Sequence, residues 1–120
     1  MVDISKLKTI IKRNNIAFAT IDKNNKPNVV YLSHVKVVSK NHILITDNYM
    51  NKTRKNILAN KFCALAVTDS KADTGYQLKG TAKYFSSGKW LKQVKVMKEN
   101  KGLPAKGAVV VTIKEIISLA

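Results

Sequence analysis

The chain is 120 residues long and 45% hydrophobic, which suits one domain over residues 1–120 and excludes disorder. Its 22 Lys+Arg against seven Asp+Glu give a formal charge of +15, which calls for an anionic partner: nucleic acid, a membrane surface or a phosphorylated ligand. No apolar run approaches the roughly 20 residues that span a bilayer, the first residues lack the layout of a secretion signal, and a lone cysteine, Cys63, cannot form an internal disulfide, so a soluble cytoplasmic protein is expected.

The basic residues divide evenly, eleven in each half of the chain, without a block of five consecutive cations. Twenty are lysine; only Arg13 and Arg54 are arginine. Readers of nucleic-acid sequence favour arginine, whose planar fork fits guanine and phosphate. Nucleic acid is therefore the less favoured partner, and most of these lysines read as solvated surface.

In chain order, Asp3 to Asn14 is predicted helical: Ile4, Leu7, Ile10 and Ile11 share one face, and Asp3 is placed as N-cap. Ile16 to Ile21 is a strand, closed by an Asp22–Pro27 turn. Val29 to Val38 is a long β-rich run, bent or bulged near Ser33-His34. His42 to Thr46 is a short apolar strand that runs into "DNYMNKTRKN", residues 47–56, whose second part starts a helix expected over about Lys52 to Asn60. Phe62 to Thr68 is the next strand. In Tyr76 to Phe85 the residues Tyr76, Leu78, Gly80, Ala82 and Tyr84 take one face, so one side lies in water. Lys89 to Lys101 is read as a helix with Trp90, Leu91, Val94 and Met97 as its apolar face, ended by Gly102-Leu103-Pro104. Ala108 to Ile117 is the last strand. Six or so antiparallel strands with about three helices suggest a mainly β barrel.

Familiar chemical signatures are missing. There is no phosphate-binding GxxxxGK[ST] loop and no GxGxxG after a strand. His34 and His42 are the only histidines, and with Cys63 they match no metal-ligand spacing. Cys63 itself reads as a small core residue. The carboxylates are scattered, so no catalytic acid pair is read from spacing. Any chemistry is expected to come from a bound cofactor.

Residues 47–56 carry the one local signal. With Asn51 as N-cap, Lys52, Thr53 and Arg54 form the first helical turn, whose backbone N–H groups lack intrahelical partners. The helix dipole adds positive charge there, and a phosphate would gain N–H donors, the Thr53 hydroxyl and the Lys52 ammonium together. The plain alternative is a basic, poorly capped helix start.

Four segments together resemble a known family: "IAFATIDKNNKPNVV" (16–30), "ILITDNYMNKTRKNILANKFCALAV" (43–67), "GYQLKGTAKYF" (75–85) and "KGLPAKGAVVVTIKEIISL" (101–119). In this order and spacing they are similar to the pyridoxamine-phosphate-oxidase-like, FMN-binding split-barrel family, especially its small bacterial FMN-binding proteins. The resemblance implies a six-stranded antiparallel split β-barrel with about three short helices, working as a homodimer with FMN at the subunit interface. It implies that Lys52 and Thr53 hold the FMN phosphate with Asn56 nearby. Val30, Tyr31, Leu32 and Ser33, with His34 at the end of that run, would line the isoalloxazine and ribityl chain, and Thr46 and Asp47 would sit at the flavin edge. Two departures bear on activity. Val30 stands where vitamin-oxidising members carry arginine, and no histidine follows His42. A flavin carrier, small reductase or electron-transfer protein, meeting an acidic redox partner or a small-molecule substrate, fits better than vitamin B6 oxidation. Relatives that bind haem or a deazaflavin share the pattern. From other classes, a basic barrel for nucleic acid and a barrel that has lost its flavin remain as alternatives.

Overall fold

A computed structural model describes residues 2–13, 15–32, 34–69 and 71–119. Seven strands form one antiparallel sheet in the order β2-β1-β5-β6-β7-β4-β3. They are β1 (Ile16–Ile21), β2 (Pro27–Leu32), β3 (Val35–Val37), β4 (His42–Asp47), β5 (Phe62–Asp69), β6 (Thr74–Phe85) and β7 (Gly107–Ser118). Helices α1 (Lys8–Arg13), α2 (Lys52–Ala59) and α3 (Lys89–Lys95) complete it, with 3₁₀ turns at Ser5–Leu7 and Lys98–Asn100. Among the described residues no helix is long and apolar enough to cross a membrane.

The strand order explains the curl. β2 and β3 are the two edges of the sheet, yet only residues 33 and 34 lie between them in sequence. Three Cα–Cα steps span at most about 11 Å, so the edges must be brought together and the sheet becomes a split barrel. This corrects the six-strand expectation. The run from Val29 to Val38 is two strands: β2 pairs with β1 and β3 with β4. Alternating apolar residues signal a strand but not a change of partner. The break falls at the Ser33-His34 position expected to bend; Ser33 itself, like Asn14 at the expected end of the first helix, lies outside the described residues.

Inside the barrel, Phe18 and Ile16 of β1, Leu65 of β5, Leu78 of β6 and Ile43 and Ile45 of β4 form the main core. Ile4, Leu7 and Ile11 from the N-terminal segment join the same core. The lead-in is 3₁₀ before it is α, and its N-cap position is Ile4 rather than the expected Asp3; Asp3 Oδ1 accepts the Ser5 N–H at 2.9 Å just ahead of it. A second core lies on the outer side of β4 and β7, where Val94 packs on Leu44, Ala108 and Val110, with Trp90, Leu91 and Met97 around it. β4 and β7 are therefore covered on both faces, which is why "HILI" and "AVVV" read as continuous apolar runs rather than alternating ones. β6 follows the expected alternation, with Leu78, Gly80 and Ala82 buried and Lys79 and Lys83 exposed.

The third helix is shorter than expected. It ends at Lys95, Met97 is extended, and a 3₁₀ turn follows. Asn100 explains the break. It is buried and exchanges hydrogen bonds with Asn48, Nδ2 of Asn48 to Oδ1 of Asn100 at 2.7 Å and the reverse at 3.1 Å. A continued helix would not deliver Asn100 to that partner. At the bulge between Lys79 and Gly80, a Cβ on Gly80 would lie 1.9 Å from the Thr112 carbonyl oxygen, so only glycine fits this approach.

Candidate functional site

Three segments converge on one groove of about 330 Å³: β2, the end of β4 with its following loop, and the first turn of α2. β2 is an edge strand with alternating side chains. Asn28, Val30 and Leu32 turn toward the barrel, whereas Val29 and Tyr31 are 66% and 79% exposed. α2 starts where expected. Asn51 occupies the N-cap position, but its side chain makes no capping bond. The positive end of the helix therefore has no side-chain acceptor of its own.

Two residues of this first turn face the groove. Thr53 is 3% exposed, and its Oγ1 accepts the Asn28 Nδ2–H at 3.3 Å. A hydroxyl is donor and acceptor at once, so that bond leaves the Thr53 proton to donate. The Lys52 ammonium lies 3.5 Å from Asp22 Oδ2, with the lysine side chain 58% exposed. The Asp22 carboxyl is held below its usual range by the backbone N–H of Lys26 first, then by that of Asn24 and by the Lys52 charge. So exposed an ion pair is weak, and Lys52 is free to swing to a stronger anion. Arg54 turns away and stacks over the Tyr84 ring at 5.3 Å.

On the β4 side the groove is lined by Thr46. This residue is 8% exposed, and its Oγ1 is the buried side-chain polar atom without a hydrogen-bond partner among the described residues. Buried hydroxyls are nearly always paired.

Asp47 does something else. Successive strand residues point to opposite faces, so Asp47 turns from the groove into the barrel and is fully buried. Its carboxylate accepts the Tyr84 hydroxyl at 2.5 Å and the Met50 N–H at 2.8 Å, with the Lys106 ammonium at 4.0 Å. That ammonium also donates to the Met50 carbonyl at 2.7 Å. Together with the Asn48–Asn100 pair and the Ala105 N–H on Asn48 Oδ1 at 2.9 Å, these bonds clamp the loop that carries the groove floor. Burial, then the Asp47 bond, pushes the Tyr84 hydroxyl up to about 12.

Of the site residues expected from sequence, Val30, Tyr31, Leu32, Thr46, Lys52 and Thr53 line this groove, as does His34. Asp47 and Asn56 do not. Asn56 is 1% exposed beneath α2, where its Nδ2 donates to Thr20 Oγ1 at 3.0 Å and ties the helix to β1. Ser33 lies outside the described residues. Sequence reasoning missed Asn28, Asn48, Tyr49 and Met50, which also line it. The two-residue period from Val30 back to Asn28 was a usable signal; the loop residues lay inside the singled-out 47–56 stretch but had no individual pattern that marked them.

The chain is 45% identical over 113 residues to the uncharacterised protein MJ0282 of Methanocaldococcus jannaschii, a match covering 88% of this chain and 74% of that one. Its fold superposes on HupZ of Group A Streptococcus with a TM-score of 0.85 and 23% identity, covering 95% of this chain and 91% of that one. It also superposes on an FMN-binding protein from Syntrophomonas wolfei, with a TM-score of 0.79 and 17% identity, covering 98% and 86%. Residues 4–120 match the sequence profile of the pyridoxamine 5'-phosphate oxidase family; nearly the whole chain is matched, and the chain belongs to that family.

Proposed function

We propose that this protein binds FMN in the groove between β2, β4 and α2 and serves as a redox flavoprotein. The observation that carries the reading is that Thr46, the residue with the orphaned buried hydroxyl, lines the same groove as the uncapped first turn of α2. A helix start with Lys52 and Thr53 suits a phosphate, and a buried unpaired hydroxyl suits the polar edge or ribityl chain of the same molecule. Bound FMN would supply electron or hydride transfer through its isoalloxazine ring. The chain's own residues bind and orient: Lys52 neutralises the phosphate, Thr53 donates to it while Asn28 holds Thr53 in place, and Val30 and Leu32 offer apolar surface.

The same reading includes a cytoplasmic homodimer of single-domain subunits. Val29 and Tyr31 on the β2 edge and Phe62 on β5 are more than half exposed, an apolar strip that a second copy would cover. The net charge of +15 would steer an acidic redox partner toward the dimer. Vitamin B6 oxidation is not part of the proposal, because Val30 offers no cation.

The test is the visible spectrum of the purified protein, followed by titration of the stripped protein with FMN. A flavin spectrum is expected, with loss of flavin fluorescence on binding. K52A/T53A should weaken binding at least ~30-fold, the sum of a lost charge contact and a lost hydroxyl, while retaining cooperative melting. A haem Soret band, or unchanged FMN affinity in the double variant, would refute the assignment.

A further inference from the structure

We propose a second ligand site in the groove between α1, β3 and the segment after α3, for a small anionic molecule with an apolar body. The groove measures about 650 Å³, within the range of small-molecule sites. Val35, Val37 and Met97 give it an apolar lining, with Val96 at the side. Around it stand Lys8, Lys12, Lys36 and Lys98, opposed only by Glu99.

Three observations point to such an occupant. First, these four lysines come from three elements and meet at one cavity, and among the described residues none is in an ion pair. Lys8 and Lys12 are also one turn apart on α1, a like-charge spacing that costs helix stability. The gathered charge is complementary to an anion and to little else. Second, Val96 is 80% exposed. The helix stops at Lys95, and the chain places this apolar residue at the groove rather than in the core beneath α3. Third, His34 lines both this groove and the one described above, so an occupant would sit beside whatever fills the first. A concave site walled by three elements suits a small molecule better than a protein surface. The binding itself stands without the FMN reading.

The probe is 8-anilinonaphthalene-1-sulfonate, an anion on a flat apolar body, titrated into the purified full chain by fluorescence at low and at 0.5 M salt. Saturable binding that weakens with salt is expected. K36E/K98E should weaken it at least about tenfold, since two attractive charges become repulsive. V96D should weaken it through the apolar side. K71E/K83E, with the same net-charge change on exposed positions elsewhere, should stay within about twofold. All four replaced lysines are exposed, and circular dichroism melting checks that each variant folds. Decanoate should compete with the dye and inorganic phosphate at equal concentration should not. The proposal is overturned by absence of saturable binding, by equal loss in both charge variants, or by no loss in K36E/K98E. Competition by phosphate alone would make it a bare anion site. Competition by polyglutamate but not decanoate would make the occupant an acidic peptide. Either result overturns the ligand class. Failure of FMN titration with these results intact would sink the first site only.

Discussion

Replacing Thr46 with valine should move protein stability and ligand affinity in opposite directions. Valine matches threonine in shape but removes the hydroxyl, and that hydroxyl is buried without a partner in the ligand-free chain. An unpaired buried polar group costs about 1–3 kcal/mol. Its removal should therefore stabilise the unliganded protein by about 1 kcal/mol, at the low end because the site borders a groove. For a chain of this length that raises Tm by roughly 3–6 °C. In the liganded protein the same hydroxyl would be bonded, so the variant forgoes a bond of about 1 kcal/mol and FMN affinity should fall about five- to tenfold. Differential scanning fluorimetry with and without saturating FMN, plus a fluorescence titration, measures both effects. A lower Tm for ligand-free T46V would mean the hydroxyl is already paired in the native protein. Unchanged affinity would mean it does not face the ligand. Either outcome removes the observation on which the FMN reading rests.

Other consequences follow from the same packing. Tyr84 titrates near 10 when unfolded and is pushed up to about 12 in the fold. The folded state therefore keeps a proton the unfolded chain has lost, and stability should fall as pH rises from about 10 to 12. Urea midpoints across that window should decline less steeply in Y84F, and identical slopes would refute the assignment. Burial likewise pushes the Cys63 thiol up to about 12. Its labelling by a disulfide reagent at pH 8 should be slow and should track unfolding in urea; rapid labelling of the native protein would contradict the burial. Gly80→Ala forces a Cβ against the Thr112 carbonyl at 1.9 Å and should cost at least ~2 kcal/mol by urea unfolding, with an unperturbed midpoint as the refuting result.

The chain itself determined much that can be read locally. β1 spans Ile16–Ile21 as expected, β6 keeps its inward Leu78 and Ala82, and α2 begins at Lys52. Each rests on near-neighbour physics: side-chain period, turn residues and the electrostatics of a helix end. Lys52 and Thr53 could be picked out for the same reason, since their special position is a property of ten consecutive residues. What tertiary structure decided involves partners far apart in sequence. Val29–Val38 became two strands because its halves pair with β1 and β4 on opposite sheet edges. Asp47, turned inward by strand alternation, found its partner in Tyr84, 37 residues on, inside the barrel. Asn56 went beneath its helix to Thr20, and α3 stopped short to deliver Asn100 to Asn48, 52 residues away. In the last three cases a buried polar group had to find a hydrogen-bond partner, and only the closed sheet determined which one was within reach.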